Sequence, residues 1–279
     1  MVSCVNPAES GYSLTPIWLE HDAWQASLSR DVRDILHALV VEIEDLTAAD
    51  ASDPFASLLD EEDRERAARF RFIEDRNRFV IAHGVLRLVA SQAVGIEPEA
   101  LEFAGRPRTG KPPRIVAPSS APHLSLSHSG PYIAIALGRD QPVGIDVEGP
   151  RSLRDVDALA RTVFNEAELR DLIPLSPANK ARVFLRWWTA KEAALKAQGT
   201  GFATPPDEVT LRYDRDLLPN AAIIPIDGSH SSYAIRVFDP FGPAAATVAV
   251  AATGYRDLLL SYAQAKRFAP STHRPAEAR

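Results

Sequence analysis

A single cysteine, Cys4, in 279 residues excludes an internal disulfide and fits a reducing compartment. Long apolar runs are missing too: nothing reaches the roughly 18 consecutive apolar residues of a membrane span, and the first residues lack a basic segment followed by an apolar core. The chain is therefore expected in the cytoplasm and away from membranes. Positive charge is also in deficit. Lys+Arg 31 against Asp+Glu 37 gives a net charge of -6, which excludes a whole-surface attraction to nucleic acid or anionic lipid. An anionic ligand must then be met by a local cluster. What is present is an ordinary globular composition, 46% hydrophobic and 24% charged, long enough for one large domain or two of average size.

Along the chain, residues 1 to about 50 show no single period. A helical block follows, from DEEDRERAARF (60–70) through NRFVIAHGVLRLVAS (77–91), with Phe79, Ala82, Leu86, Val89 and Ala93 stacked on one face. Residues 105–122 hold Pro107, Pro112, Pro113, Pro118 and Pro122, which removes too many backbone donors for a regular element and predicts a loop. HLSLSHSG, PYIAIALG and VGIDVEG then read as a β-meander, the last two joined by the turn-like GRDQP. A helix-rich middle (155–198) precedes further strand-like runs at EVTLRY, YAIRVF and AATVAVAA. The order helices, strands, helices, strands implies an α+β protein of two similar halves. The tail after Ala269 reads as disordered.

Two stretches carry chemistry. VGIDVEG, residues 143–149, places two carboxylates one residue apart in an apolar strand, where Asp is disfavoured. Side chains two apart on a strand share a face, so Asp146 and Glu148 point the same way. Alone, they also read as solvated edge-strand residues. FLRWWTAKEAALKAQGTG, residues 184–201, is a helix ending at Gly199. Its apolar stripe of Val183, Trp187, Ala190 and Ala194, widened by Phe184, Trp188 and Leu195, makes it mostly buried, and both tryptophans read as core packing. Glu192 and Lys196 remain on a polar stripe at a cleft edge, where a helix-surface ion pair worth about 0.2–0.5 kcal/mol is the plain alternative.

Together, Val143 through Glu148 and Trp188 through Lys196 resemble the paired signature of the 4'-phosphopantetheinyl transferases. The resemblance extends to SHSG (127–130), GKP (110–112) and Gly199 with Gly201, five landmarks in order over about ninety residues. It implies transfer of the phosphopantetheine arm of coenzyme A to a serine of an apo acyl or peptidyl carrier protein, releasing 3',5'-ADP. The chain length resembles the two-half, monomeric Sfp-type group, which implies pseudo-twofold halves with the coenzyme cleft between them. Residues 1–150 would form one half, 151–268 the other, and 269–279 the tail. That group usually serves polyketide and nonribosomal-peptide carriers.

By the same resemblance Asp146, Glu148 and Glu192 are the metal-binding acids. Mg²⁺, or Mn²⁺, is implied, and the lack of a Cys/His cluster independently favours an oxygen-ligated ion over zinc. Lys196 matches the lysine at the transferring phosphate. Lys191 aligns with the lysine before the third acid, as a coenzyme contact. His128 with Ser127 matches the binding of the 3'-phosphate, and Lys111 and Arg78 match other cationic contacts to the nucleotide end. Arg64 and Arg66 lie in the corresponding basic region, although DEEDRER also reads as a solvated mixed-charge helix face. Glu192 is the first choice of base for the carrier serine, and Glu168 in FNEAEL aligns with a further acid near the site. The same acids would also serve a divalent-metal nucleotide hydrolase. A non-catalytic coenzyme A or carrier-binding module is the other alternative, which the presence of Glu192 and Lys196 disfavours.

Overall fold

The computed structural model describes residues 3–5, 35–49, 51–104, 113–116, 121–150, 153, 155–200, 203–242, 245–254 and 257–265. In chain order, β1 (Ser3–Val5) and β2 (Ile35–Ile43) precede α1 (Asp53–Ala56), α2 (Glu61–Ala68) and α3 (Ile73–Val94). The short β3 (Phe103–Ala104) and β4 (Arg114–Ile115) lead to β5 (His123–Ser129), β6 (Tyr132–Gly138) and β7 (Val143–Glu148). Then come α4 (Val156–Val163), α5 (Glu166–Leu172) and α6 (Pro177–Gln198). The chain continues with β8 (Thr210–Tyr213), β9 (Pro219–Ile226), β10 (Ser229–Phe238), β11 (Thr247–Ala252) and β12 (Asp257–Ala265).

The strands build two five-stranded sheets, ordered β1-β12-β2-β6-β5 and β7-β11-β10-β9-β8. Each sheet carries one 22-residue helix on its outer face, α3 on the first and α6 on the second. The inner faces meet. Strict alternation along the strands explains this layering: Ile133, Ile135 and Leu137 of β6 face α3, while Tyr132, Ala134 and Ala136 enter the layer between the sheets. There the alanines of the first sheet, with Ala38 of β2, pack against Val143, Ile145 and Val147 of β7 and Val248 and Val250 of β11. Small residues opposite branched ones let the two pleated surfaces interdigitate.

The two expected halves are present as a sheet and long helix each, but four details differ. Residues 35–43, within the stretch that showed no period, form the central strand β2, because a strand buried on both faces reads as a continuous apolar run rather than an alternation. The meander stops after β6: β7 pairs with β11 in the other sheet. A division at residue 150 therefore cuts across the sheets, since β7 belongs to the second and β12 returns to pair in parallel with β2 in the first. Helix α3 is buried around most of its circumference, Asn77, His83 and Arg87 included, rather than along one stripe. Within the proline-rich segment, Arg114–Ile115 pairs with Phe103–Ala104. Most of that segment, with Lys111, and the tail from 266 lie outside the described residues.

Candidate active site

The site forms where β7 meets α6. Val143, Ile145 and Val147 are committed to the layer between the sheets, so Gly144, Asp146 and Glu148 face the helix. The glycine is required by contact. A Cβ there would lie 1.8 Å from the Ala193 carbonyl oxygen and 2.5 Å from the Ala197 nitrogen, so the helix backbone rests directly on the strand. Ala249 and Ala251 of β11, facing Ala190, Ala193, Ala194 and Ala197, extend the close approach. The helix runs to Gly199, whose φ of 77° provides the left-handed cap expected from the sequence.

This approach brings Glu192 and Lys196 over the two strand carboxylates. Lys196 Nζ donates to Asp146 Oδ1 at 2.7 Å and to Ser127 Oγ at 2.9 Å, and Ser127 Oγ donates to the same Oδ1 at 2.7 Å. Lys196 is thus paired across the cleft with Asp146, not along its own helix with Glu192. Glu148 is fixed from two sides: Trp188 Nε1 donates to Oε1 at 2.8 Å and Ser129 Oγ to Oε2 at 3.1 Å. Two buried acceptors, Asp146 Oδ2 and Glu192 Oε1, have no hydrogen-bond partner among the described residues. Burial and then the Asp146 charge, with Glu148 adding and Lys196 opposing, push the Glu192 carboxyl up to about 7.

Strand β5 closes the other side. It is the edge of the first sheet and lies against β7, the edge of the second, and serines bridge the seam. Ser125 Oγ accepts from Ile145 N at 3.0 Å and Ser129 Oγ from Gly149 N at 3.2 Å, satisfying backbone donors that sheet pairing leaves over. Alternation separates Ser127 from His128. The serine joins the carboxylate cluster, while His128 is exposed on the opposite face toward α3, so the two do not form one binding pair. The packing around its ring, then the positive charges of His83, Arg78 and Lys196, push His128 down to about 4. Arg78 Nε donates to Gly130 O at 2.6 Å, in the turn after His128, and its Nη1 pairs with Asp75 at 2.7 Å.

The arrangement is one of three carboxylates and a lysine beside a group of cations, suited to a ligand bearing phosphate on a hard ion. The family model described as the 4'-phosphopantetheinyl transferase superfamily matches residues 142–250, and that of the 4'-phosphopantetheinyl transferase N-terminal region matches 50–139. The chain is 30% identical over 192 residues to a 4'-phosphopantetheinyl transferase of Bacillus subtilis, covering 69% of this chain and 82% of that protein. The chain belongs to the 4'-phosphopantetheinyl transferase superfamily. With the 4'-phosphopantetheinyl transferase HetI of Nostoc sp. this superfamily member shares 36% identity over 165 residues, 58% of its own length and 65% of that relative's.

Two residues expected at the transferase site are elsewhere. Lys191 is fully buried, and its Nζ donates to Glu168 Oε2 at 2.6 Å, Pro206 O at 2.9 Å and Val163 O at 3.0 Å. All three protons are used, so it has none for coenzyme A. Burial pushes this ammonium down, opposed by Glu168. Glu168, 1% exposed, also accepts from Leu211 N at 2.9 Å and closes the α5 capping box with Asn165. Its carboxylate oxygens are thus bonded within the fold, to Lys191 and to backbone N–H groups. The side chain of Arg64 donates to Leu59 O, and Arg66 lies over the Phe79 ring at 5.1 Å. The sequence reading missed Trp188, Ser125 and Ser129 as partners of the site. The period-two serines of LSLSHS opposite VGIDVEG were the available signal. Among the described residues no group of three His, Cys, Asp or Glu side chains is already gathered around one metal position; Lys196 donates to an Asp146 oxygen and Trp188 to a Glu148 oxygen.

Proposed function

We propose that this protein transfers the 4'-phosphopantetheine group of coenzyme A to a serine of an apo acyl or peptidyl carrier protein, releasing 3',5'-ADP. The observation that carries the reading is the meeting of Asp146, Glu148, Glu192 and Lys196 across the β7–α6 contact in a member of this superfamily. In the reaction the serine Oγ forms a bond to the phosphorus that bears pantetheine, the pyrophosphate P–O bond breaks, and the serine proton passes to a base. Lys196, one-quarter exposed, lies where it can donate to phosphate oxygens. Glu192 is the base this reading assigns to the serine proton; with no ion bound, burial and the neighbouring Asp146 charge push its carboxyl up to about 7.

The donor set fits a hard divalent ion, since Asp146 Oδ2 and Glu192 Oε1 are buried oxygens without partners among the described residues. Asp146, Glu148 and Glu192 would hold Mg²⁺ or Mn²⁺. Bound there, the ion would neutralise pyrophosphate charge as the bond is cleaved. Arg78, as a cation, and His128, as a neutral ring pushed down to about 4, would face the phosphates of the nucleotide end.

The deciding measurement is the intact mass of an apo carrier protein incubated with this protein, coenzyme A and Mg²⁺. A gain of one phosphopantetheine group per carrier is expected, and removing Mg²⁺ with a chelator should stop it. Nucleotide cleavage without a carrier mass gain would overturn the reading in favour of a hydrolase. No change with several carriers would favour a non-catalytic binding module.

A further inference from the structure

We infer that the buried Lys191–Glu168 pair is a positioning device, fixing α6 so that Glu192 and Lys196 stand over Asp146 and Glu148. The inference rests on the transferase reading above. Five segments converge on this pair. Lys191 belongs to α6, Val163 ends α4, Asn165 and Glu168 open α5, Pro206 precedes β8, and the Leu211 backbone N–H lies within β8. The ammonium also sits 5.0 Å over the Phe164 ring. On its other side, within the next turn, α6 is pressed against β7, where Ala193 O and Ala197 N meet Gly144. Helix α6 is therefore gripped from two sides within two turns, and the gripped stretch carries Glu192 and Lys196.

Burying two charges needs a reason other than stability. Replacing a buried ion pair by neutral residues of similar volume is often neutral or stabilising, whereas removing one partner is strongly destabilising. What an apolar pair cannot reproduce is direction: Lys191 donates to three fixed oxygens and Glu168 accepts from fixed donors, so rotation or sliding of α6 breaks several directional bonds at once. A shift of about 1 Å at reacting groups is enough to lose about a hundredfold in rate.

The test is the double variant Lys191→Met with Glu168→Gln, which leaves no unpaired charge, and Glu168→Asp, which keeps both charges but shortens the tether. Four quantities are read: thermal melting, coenzyme A affinity by calorimetry, kcat at saturating carrier and coenzyme, and Mn²⁺ affinity by titration with coenzyme A present. Expected for the double variant are a cooperative melt, coenzyme A affinity within about threefold of the parent, and losses of about 10–100-fold in both kcat and Mn²⁺ affinity. Glu168→Asp should move in the same direction by less, and it decides the matter alone if the double variant does not melt cooperatively. Parent-like kcat and Mn²⁺ affinity in Glu168→Asp and in the folded double variant overturn the inference. So does a tenfold loss of coenzyme A affinity with kcat retained, which would make Lys191 a ligand contact. A parent that modifies no carrier overturns the transferase reading instead. The Mn²⁺ titration needs no turnover and still decides the positioning role.

Discussion

Asp146 turns one oxygen to Lys196 and Ser127 and leaves the other buried without a partner among the described residues. Such an acceptor is a local instability of about 1–3 kcal/mol, so its retention points to a ligand rather than to folding. Asp146→Ala should lower carrier modification by more than about a hundredfold, beyond the 10–100-fold typical of groups one shell out, while melting stays cooperative. Full activity in the carrier-mass assay would remove Asp146 from the site. Trp188 is such an outer group, holding Glu148 through its indole N–H. Trp188→Phe keeps a ring and deletes that bond, and should lose about 10–100-fold in transfer with the melting temperature nearly unchanged. Parent-like turnover would show that Ser129 orients Glu148 unaided.

At the scale of elements, one contact sets the site: α6 lying on β7. A Cβ at residue 144 meets helix backbone, which cannot turn aside, whereas one at residue 84 meets only the Phe55 side chain, 2.6 Å away at its Cβ. Gly144→Ala should therefore destabilise by more than the roughly 1–3 kcal/mol of ordinary overpacking and depress transfer as Glu192 and Lys196 move away. Gly84→Ala should be milder and leave transfer intact. Urea melts of the two variants beside the mass assay measure both effects, and equal destabilisation by the two would contradict the contact. The elements themselves were largely legible. Helix α6, its Gly199 stop, and strands β5 to β8, β10 and β11 follow from period and terminators within a few residues of each other. Strand β2 was not, because a strand buried on both faces lacks the alternation that marks one wet face, and β12, its parallel neighbour, was not read as a strand either.

Over the whole molecule, the two halves are tied by exchange. Strand β7 of the first half completes the second sheet, and β12 of the second inserts between β1 and β2 of the first. Fragments 1–150 and 151–279 should therefore each lack an essential strand and fail to melt cooperatively alone, while mixing them should restore ellipticity. An independently folded fragment would mean the exchanged strands are dispensable. Sensitivity to acid has a source in β2. His37, 2% exposed, is pushed down to about 4 by burial first and by Arg139 second. Between about 6.5 and about 4 the unfolded chain takes a proton that the folded histidine refuses, so stability present above that window is lost as pH falls through it. His37→Leu should narrow the stability difference between pH 7 and pH 5 by about 2 kcal/mol, measured by denaturant titration at both. An unchanged difference would place the acid sensitivity elsewhere.

By itself the sequence determined that Asp146 and Glu148 share a face and that Glu192 and Lys196 share a helix stripe, since both are consequences of backbone period acting over a few residues. Long-range packing alone decided what those side chains touch. Lys196 and Ser127 are 69 residues apart, Trp188 and Glu148 40, and Lys191 and Glu168 23. Lys191 and Glu192 are neighbours in one motif, yet a helix turns about 100° between them. One carboxylate joins the Asp146 cluster while the adjacent ammonium is sealed against Glu168, and only the placement of α6 between β7 and the α4–α5 segment distinguishes the two.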